Sequence, residues 1–180
     1  MHRIMLVDDE ESILKSLRRT ILHSMIDCEI EYYTDPVVAL KRAAITPFEL
    51  FLSDFRMPHM TGVEFLTEIK DIQPESIRII LSGYNDINAC KDGINKAQIY
   101  RFLSKPWQND ELILTIEQAL SHRAVIVENR ILADELREQR AKLNLQKNII
   151  ETACLLHPEL FKVDRDETGA IIIHDHMLRN

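Results

Sequence analysis

The sequence predicts an α/β chain: a five-stranded, doubly wound parallel sheet, then a long coiled-coil-like helix and a small C-terminal hairpin. Three observations predict it. Short apolar runs alternate with helix-period stretches five times in succession. The runs lack the strict apolar–polar alternation of a half-exposed sheet, as expected of parallel strands covered on both faces. After Ser121 the apolar residues thin to one every three or four positions in a charged background, the spacing of a helical seam.

The first βα unit is Arg3 to Val7 followed by Glu11 to Met25, and the second is Cys28 to Tyr33 followed by Pro36 to Ile45. Glu49 to Ser53 then precedes Gly62 to Ile72, Ile77 to Ser82 precedes Ile87 to Ala97, and Tyr100 to Ser104 precedes a helix starting at about Asn109. Runs such as Ile4-Met5-Leu6-Val7 and Leu50-Phe51-Leu52 are apolar throughout, which marks central strands. Beyond Ser121, Val125, Leu132, Leu136, Leu143 and Ile150 mark the seam, with Asn129, Gln139 and Gln146 at other seam positions, where polar residues weaken a coil and set its register. A lone amphipathic helix packed on its own domain is the alternative. Leu160 to Val163 and Ala170 to Ile173 flank Asp166-Glu167-Thr168-Gly169, which reads as a hairpin with a Gly-containing turn and too little core to stand alone. The organisation is therefore residues 1–120 as the α/β domain, 121–152 as the helical extension and 153–180 as a small segment.

The 180 residues give room for one full domain plus an appendage. With 46% hydrophobic and 28% charged residues, the chain has the composition of a folded, water-facing protein. A net charge of −7 argues against a broad nucleic-acid surface, since neutralising phosphates takes concentrated Lys and Arg. The apolar start ends at Asp8, far short of a signal-peptide core or a membrane span, so a cytoplasmic protein without membrane contact is expected. Cys28, Cys90 and Cys154 are scattered and without metal-ligand spacing, which fits free thiols.

In an open parallel sheet the ligand crevice lies beyond the carboxyl ends of the strands, so the strand-end residues carry the chemistry. They are Asp8-Asp9-Glu10, Ser53-Asp54 followed by Phe55-Arg56-Met57-Pro58, Leu81-Ser82-Gly83 and Ser104-Lys105-Pro106. Three carboxylates, a hydroxyl and an ammonium would meet at one edge. Crowded carboxylates stay ionised only beside a cation, and a hard dication with oxygen ligands and open positions for phosphate suits Mg²⁺. A carboxylate can attack a phosphoryl group in line when metal and ammonium steady the transferring oxygens. Asp54, alone at the end of a central strand, is the favoured nucleophile; adjacent Asp8 and Asp9 suit metal binding, Lys105 the fixed cation and Ser82 a hydroxyl donor. Helix capping is the structural alternative for Asp8 and Asp9.

The acidic pair Asp8-Asp9, the segment Asp54 to Pro58 with Gly62, Ser82-Gly83 and Lys105-Pro106, in that order, resemble the receiver domain of two-component response regulators over roughly Met1 to Leu120. The resemblance implies a CheY-like sheet of order 2-1-3-4-5. It also implies Asp54 as phosphoacceptor, Mg²⁺ held by Asp8, Asp9, Asp54 and the backbone carbonyl of Arg56, and Lys105 and Ser82 touching the phosphoryl group. Ser82 and Phe102 would be the switch pair, Tyr100 the alternative aromatic, and Lys105-Pro106 a cis peptide. The run Ile99 to Trp107 is similar to receivers coupled to cyclic-di-GMP phosphodiesterase or transcriptional outputs, whereas His59 and Ala97 stand where glycines are common.

The function expected from all this is a phosphorelay protein. A histidine kinase or phosphotransfer protein would supply the phosphoryl group, and the C-terminal helix would change protein contacts or homodimerisation, with no turnover of a separate substrate and no direct nucleic-acid contact. Two rivals differ in class. A phosphatase of the haloacid dehalogenase type also uses an aspartyl phosphate but pairs its nucleophile with an aspartate two residues on, where this chain has Glu10 after Asp8. A structural dimerisation protein with a degenerate receiver would lack part of the acidic, hydroxyl and lysine set.

Overall fold

In a computed structural model of the chain, residues 1–83, 97–157 and 167–168 are described. They form β1 (His2–Val7), α1 (Glu11–Leu22), β2 (Cys28–Tyr33), α2 (Pro36–Ala43), β3 (Leu50–Asp54), α3 (Gly62–Ile72), β4 (Ile77–Ser82), β5 (Arg101–Ser104) and a long helix, α4 (Asn109–Leu156). The expected helix over 87–97 lies outside the described residues except for Ala97. So does the C-terminal hairpin, of which only Glu167 and Thr168 are described, in a turn.

The sheet has five strands in the order β2-β1-β3-β4-β5, all parallel. Alternate side chains of the buried strands divide between two apolar layers, because successive residues of a strand point to opposite faces. Ile4, Leu6, Leu50, Leu52, Ile79, Leu81 and Leu103 pack with Leu14, Leu17 and Ile21 of α1 and with Leu112, Ile116, Ala119 and Leu120 of α4. Met5, Val7, Phe51 and Ile80 face the other way, against Ala39 and Ala43 of α2 and Phe65, Leu66 and Ile69 of α3. The apolar runs that lacked alternation are thus strands covered on both sides.

Local chemistry sets the helix ends. Asp35 caps α2 by accepting from the Val37 N–H at 2.8 Å, with Pro36 at the first helical position. Thr61 and Glu64 form a reciprocal capping box on α3. The pattern reading carried the first helix to Met25, but α1 stops at Leu22, where the Ser24 hydroxyl donates to the carbonyl of Ile21 and Met25 is left exposed. The chain divides into two compact units, Met1–Asn129 and Arg130–Asn180. In the second, the described part of α4 exposes Ile131, Leu132, Leu136, Leu143, Leu145, Ile149 and Ile150.

Candidate phosphoryl-transfer site

Strand register brings the expected residues to one rim. Asp54 ends β3 opposite Leu81, Ser82 ends β4 opposite Ser104, and Lys105 follows at once, its N–H donating to the Ser82 carbonyl at 2.8 Å. The Lys105–Pro106 peptide is cis, as the resemblance implied.

Lys105 joins the two strand-end carboxylates. Its Nζ lies 2.6 Å from Asp8 Oδ2 and 2.5 Å from Asp54 Oδ1, with the Asp8 side chain 1% exposed, that of Asp54 10% and that of Lys105 21%. Asp54 Oδ2 accepts from the Arg56 N–H at 2.7 Å, so both oxygens of this carboxylate are held. Asp8 Oδ1 accepts from the Glu10 N–H at 2.9 Å. Asp8 therefore shapes the loop before α1 and does not cap the helix, whose N-cap residue is Glu10. Burial pushes the Asp8 carboxyl above its ordinary range, an effect that the hydrogen bonds from Lys105 and Glu10 reduce without cancelling. Burial alone would lower the Lys105 ammonium, but hydrogen bonds and charge from Asp54 and Asp8 outweigh it and hold its pKa above the usual lysine value.

Asp9 stands apart from this set, since its side chain is exposed. Among the described residues no three His, Cys, Asp or Glu side chains gather closely enough to hold a metal ion, so the close set is two carboxylates and an ammonium. Its chemistry still fits a hard dication. Asp8, Asp54, the neighbouring Asp9 and the Arg56 carbonyl offer only oxygen, and the Ser82 Oγ is buried at the same rim with no hydrogen-bond partner among the described residues. A buried, unpartnered hydroxyl there can donate to an oxyanion. Phe102 is half-buried against the α2–α3 layer, whereas Tyr100 packs on the opposite layer and stacks on His122 at 5.3 Å.

Two supports were not singled out as such from sequence. The Ser53 hydroxyl donates to the Asp54 carbonyl at 2.9 Å. Gly62, at the start of α3, lies so close that a Cβ there would be 2.0 Å from the same carbonyl oxygen. The signal for the second was present in the spacing of Gly62 after Asp54, but nothing in it says what the glycine touches.

The family model for the response regulator receiver domain matches residues 4–117. The chain belongs to the response regulator receiver family. Among curated relatives of this receiver, the hydrogenase transcriptional regulatory protein HoxA of Cupriavidus necator is 38% identical over 136 residues, 74% of the chain and 27% of that protein. The DNA-binding transcriptional regulator NtrC of Salmonella typhimurium is 32% identical over 119 residues, 66% of the chain and 25% of that protein. The chain thus spans about a quarter of the length of these two regulators. Among solved structures, the signal receiver domain of an HD domain-containing protein from Pseudomonas fluorescens is similar with a TM-score of 0.65 and 35% identity, covering 71% of this chain and 92% of that one. No helix among the described residues of the receiver chain is long and apolar enough to cross a membrane.

Proposed function

We propose that this receiver accepts a phosphoryl group on Asp54 from a histidine kinase or phosphotransfer protein, and that the aspartyl phosphate changes protein contacts through α4. The observation that carries the reading is the Lys105 ammonium between the carboxylates of Asp8 and Asp54. In the transfer, an Asp54 oxygen attacks phosphorus, an O–P bond forms, the N–P bond to the donor imidazole breaks, and the electron pair leaves with the imidazole nitrogen. The Arg56 N–H holds Oδ2 and so fixes the carboxylate plane. Lys105 and the Ser82 hydroxyl would stabilise charge on the transferring oxygens. Mg²⁺ would be held by Asp8, Asp9, Asp54 and the Arg56 carbonyl, and when bound it neutralises charge on the phosphoryl oxygens.

Burial of Ser82 with an unpartnered hydroxyl supports its assignment as the switch hydroxyl. The half-buried setting of Phe102 supports an aromatic that changes rotamer with it. Residues 1–120 are the receiver in this reading, 121–152 an extension that pairs two copies, and 153–180 a small segment of their own. The named relatives are transcriptional regulators, which supports a cytoplasmic relay component with no separate substrate to turn over. At a net charge of −7 this chain itself makes no direct nucleic-acid contact.

The test is light scattering, with Trp107 fluorescence, of wild type and Asp54→Asn, each with and without Mg²⁺ and beryllofluoride. Wild type alone is expected to respond, and only with both additions present. A wild type that ignores them, or an Asp54→Asn protein that responds equally, would overturn the assignment. Steady hydrolysis of a small phosphomonoester would instead favour a phosphatase.

A further inference from the structure

We infer that the Arg130–Leu156 part of α4 pairs with a second copy of this chain as a parallel, in-register two-stranded coiled coil, aligned by Gln139 and Gln146. The inference rests on the proposed self-association and names its geometry.

Among the described residues of its own unit the stripe is unpartnered. Leu132, Leu136, Leu143 and Ile150 are between 49% and 64% exposed, and with Gln139 and Gln146 they recur at alternating steps of four and three residues. Helical residues so spaced share one face, and a 3.5-residue period is the seam of a left-handed supercoil. The stretch is 27 residues long in sequence, roughly 40 Å of helix at 1.5 Å per residue. In sequence the same steps extend back through Asn129 and Val125. Ile149 widens the stripe; Ile131 and Leu145 stand off it and are not explained by it.

A second copy in parallel register matches this face position by position. Each leucine and Ile150 meets its own counterpart, and Gln139 and Gln146 meet the partner's Gln139 and the partner's Gln146. A primary amide carries both donors and acceptors, so a glutamine facing itself is satisfied in a seam where a glutamine facing leucine is not. Two alternatives that keep the Arg130–Leu156 stretch paired lack this. Slipping one helix by a heptad sets Leu132 against the partner's Gln139. Reversing it so that Leu132 meets the partner's Leu143 sets Leu136 against the partner's Gln139, twice by symmetry.

The flanks agree. In the parallel register Glu135 lies beside the partner's Arg140, giving two attractive pairs per dimer. The one like-charged flank, Lys142 beside the partner's Lys147, is offset within each helix, because Lys142 pairs with Glu138 at 2.7 Å and Lys147 with Glu151 at 3.8 Å.

The test uses the full chain with Cys28, Cys90 and Cys154 changed to serine and single cysteines introduced as Leu132→Cys, Gln146→Cys or, on the outer face, Asp134→Cys. Sedimentation equilibrium reads association, and mild air oxidation reads orientation. A dimer in which Leu132→Cys and Gln146→Cys each cross-link to themselves, and Asp134→Cys does not, supports the inference. In that dimer Glu135→Lys should weaken association roughly tenfold, and adding Arg140→Glu should restore it. A dimer that cross-links only when Leu132→Cys is mixed with Leu143→Cys overturns the parallel geometry and leaves pairing through α4 standing. A monomer at every concentration overturns the pairing as well.

Discussion

Replacing Gly62 by alanine should cost both stability and beryllofluoride binding, for a reason specific to this receiver. Gly62 begins α3, is buried, and donates its N–H to the Phe55 carbonyl at 2.9 Å. A Cβ at this position would stand 2.0 Å from the Asp54 carbonyl oxygen, 2.9 Å from its carbon and 3.1 Å from the Ser53 Oγ. Ordinary carbon–oxygen contacts begin at about 3.3 Å, so roughly 1.3 Å must be opened. The obstructing atoms are backbone and cannot rotate aside, so the end of β3 or the start of α3 must move.

Overpacking of this kind costs about 1–3 kcal/mol, and backbone obstruction puts it at the upper end. The alanine returns about 0.4–1 kcal/mol through the less flexible unfolded chain, leaving a net loss of about 2 kcal/mol or slightly more. Urea denaturation followed by circular dichroism reads that loss directly. The carbonyl that must move belongs to the residue whose carboxylate meets Lys105, so beryllofluoride affinity in the presence of Mg²⁺ should fall by tenfold or more. A Gly62→Ala protein as stable as wild type and equally responsive to beryllofluoride would refute the reasoning, and it is the result expected of a glycine at an exposed helix start.

Three further outcomes follow from other parts of the receiver. His59 is exposed with φ 70°, a left-handed conformation unfavourable for a residue with a Cβ, so His59→Gly should raise stability by up to about 1 kcal/mol, read as a higher urea midpoint. Arg78 on β4 is 5% exposed and donates to the carbonyls of Ala97 at 2.8 Å and Ser76 at 2.7 Å; Arg78→Met leaves those carbonyls without their donor and should destabilise by about 2–4 kcal/mol in the same assay. The Glu31 carboxyl is held below its ordinary pKa by hydrogen bonds from Arg42, at 2.9 and 2.8 Å, and from the Tyr33 hydroxyl at 2.6 Å, against the opposing effect of its burial. Its contribution is therefore complete above the unfolded carboxyl value of about 4.3 and lost as pH falls through the lower folded value, so a Glu31→Gln protein should lose less stability than wild type across that acid window.

What could be read before folding, and what could not, divides on sequence distance. Strands whose neighbours all cover them announce themselves locally: Leu50-Phe51-Leu52 is apolar at every position because both faces of β3 are buried. The strand-end residues Asp8, Asp54, Ser82 and Lys105 were legible for the same reason, since each follows directly on such a run and parallel strands send their ends to one edge. Which of the adjacent Asp8 and Asp9 meets Lys105 was not legible; only the fold shows Asp8 buried against Lys105 and Asp9 exposed. Arg78 was hidden inside an apparently apolar strand. Its partners are carbonyls at the edge of β4 and at Ala97, and backbone acceptors leave no residue-type signature.

The same division explains why the rim combines opposed requirements. A carboxylate that is to act as a nucleophile must be ionised and directed, and burial works against the first while enabling the second. In this chain Lys105 and the Arg56 N–H take one oxygen of Asp54 each and so fix the plane of its carboxylate. Asp8 shares the same ammonium while burial raises its own pKa, so the two carboxylates are electrostatically linked through one cation. A ligand that draws Lys105 toward a new anion must change the balance at Asp8 as well as at Asp54. Lys105 also joins β5 to β4 through its backbone N–H to Ser82, at the strand end that carries the buried Ser82 hydroxyl, and Phe102 lies three residues back along β5. Lys105 thus touches both the charged rim and the end of β5, which is the physical reason the proposed acyl phosphate at Asp54 would be felt on the face where Phe102 lies.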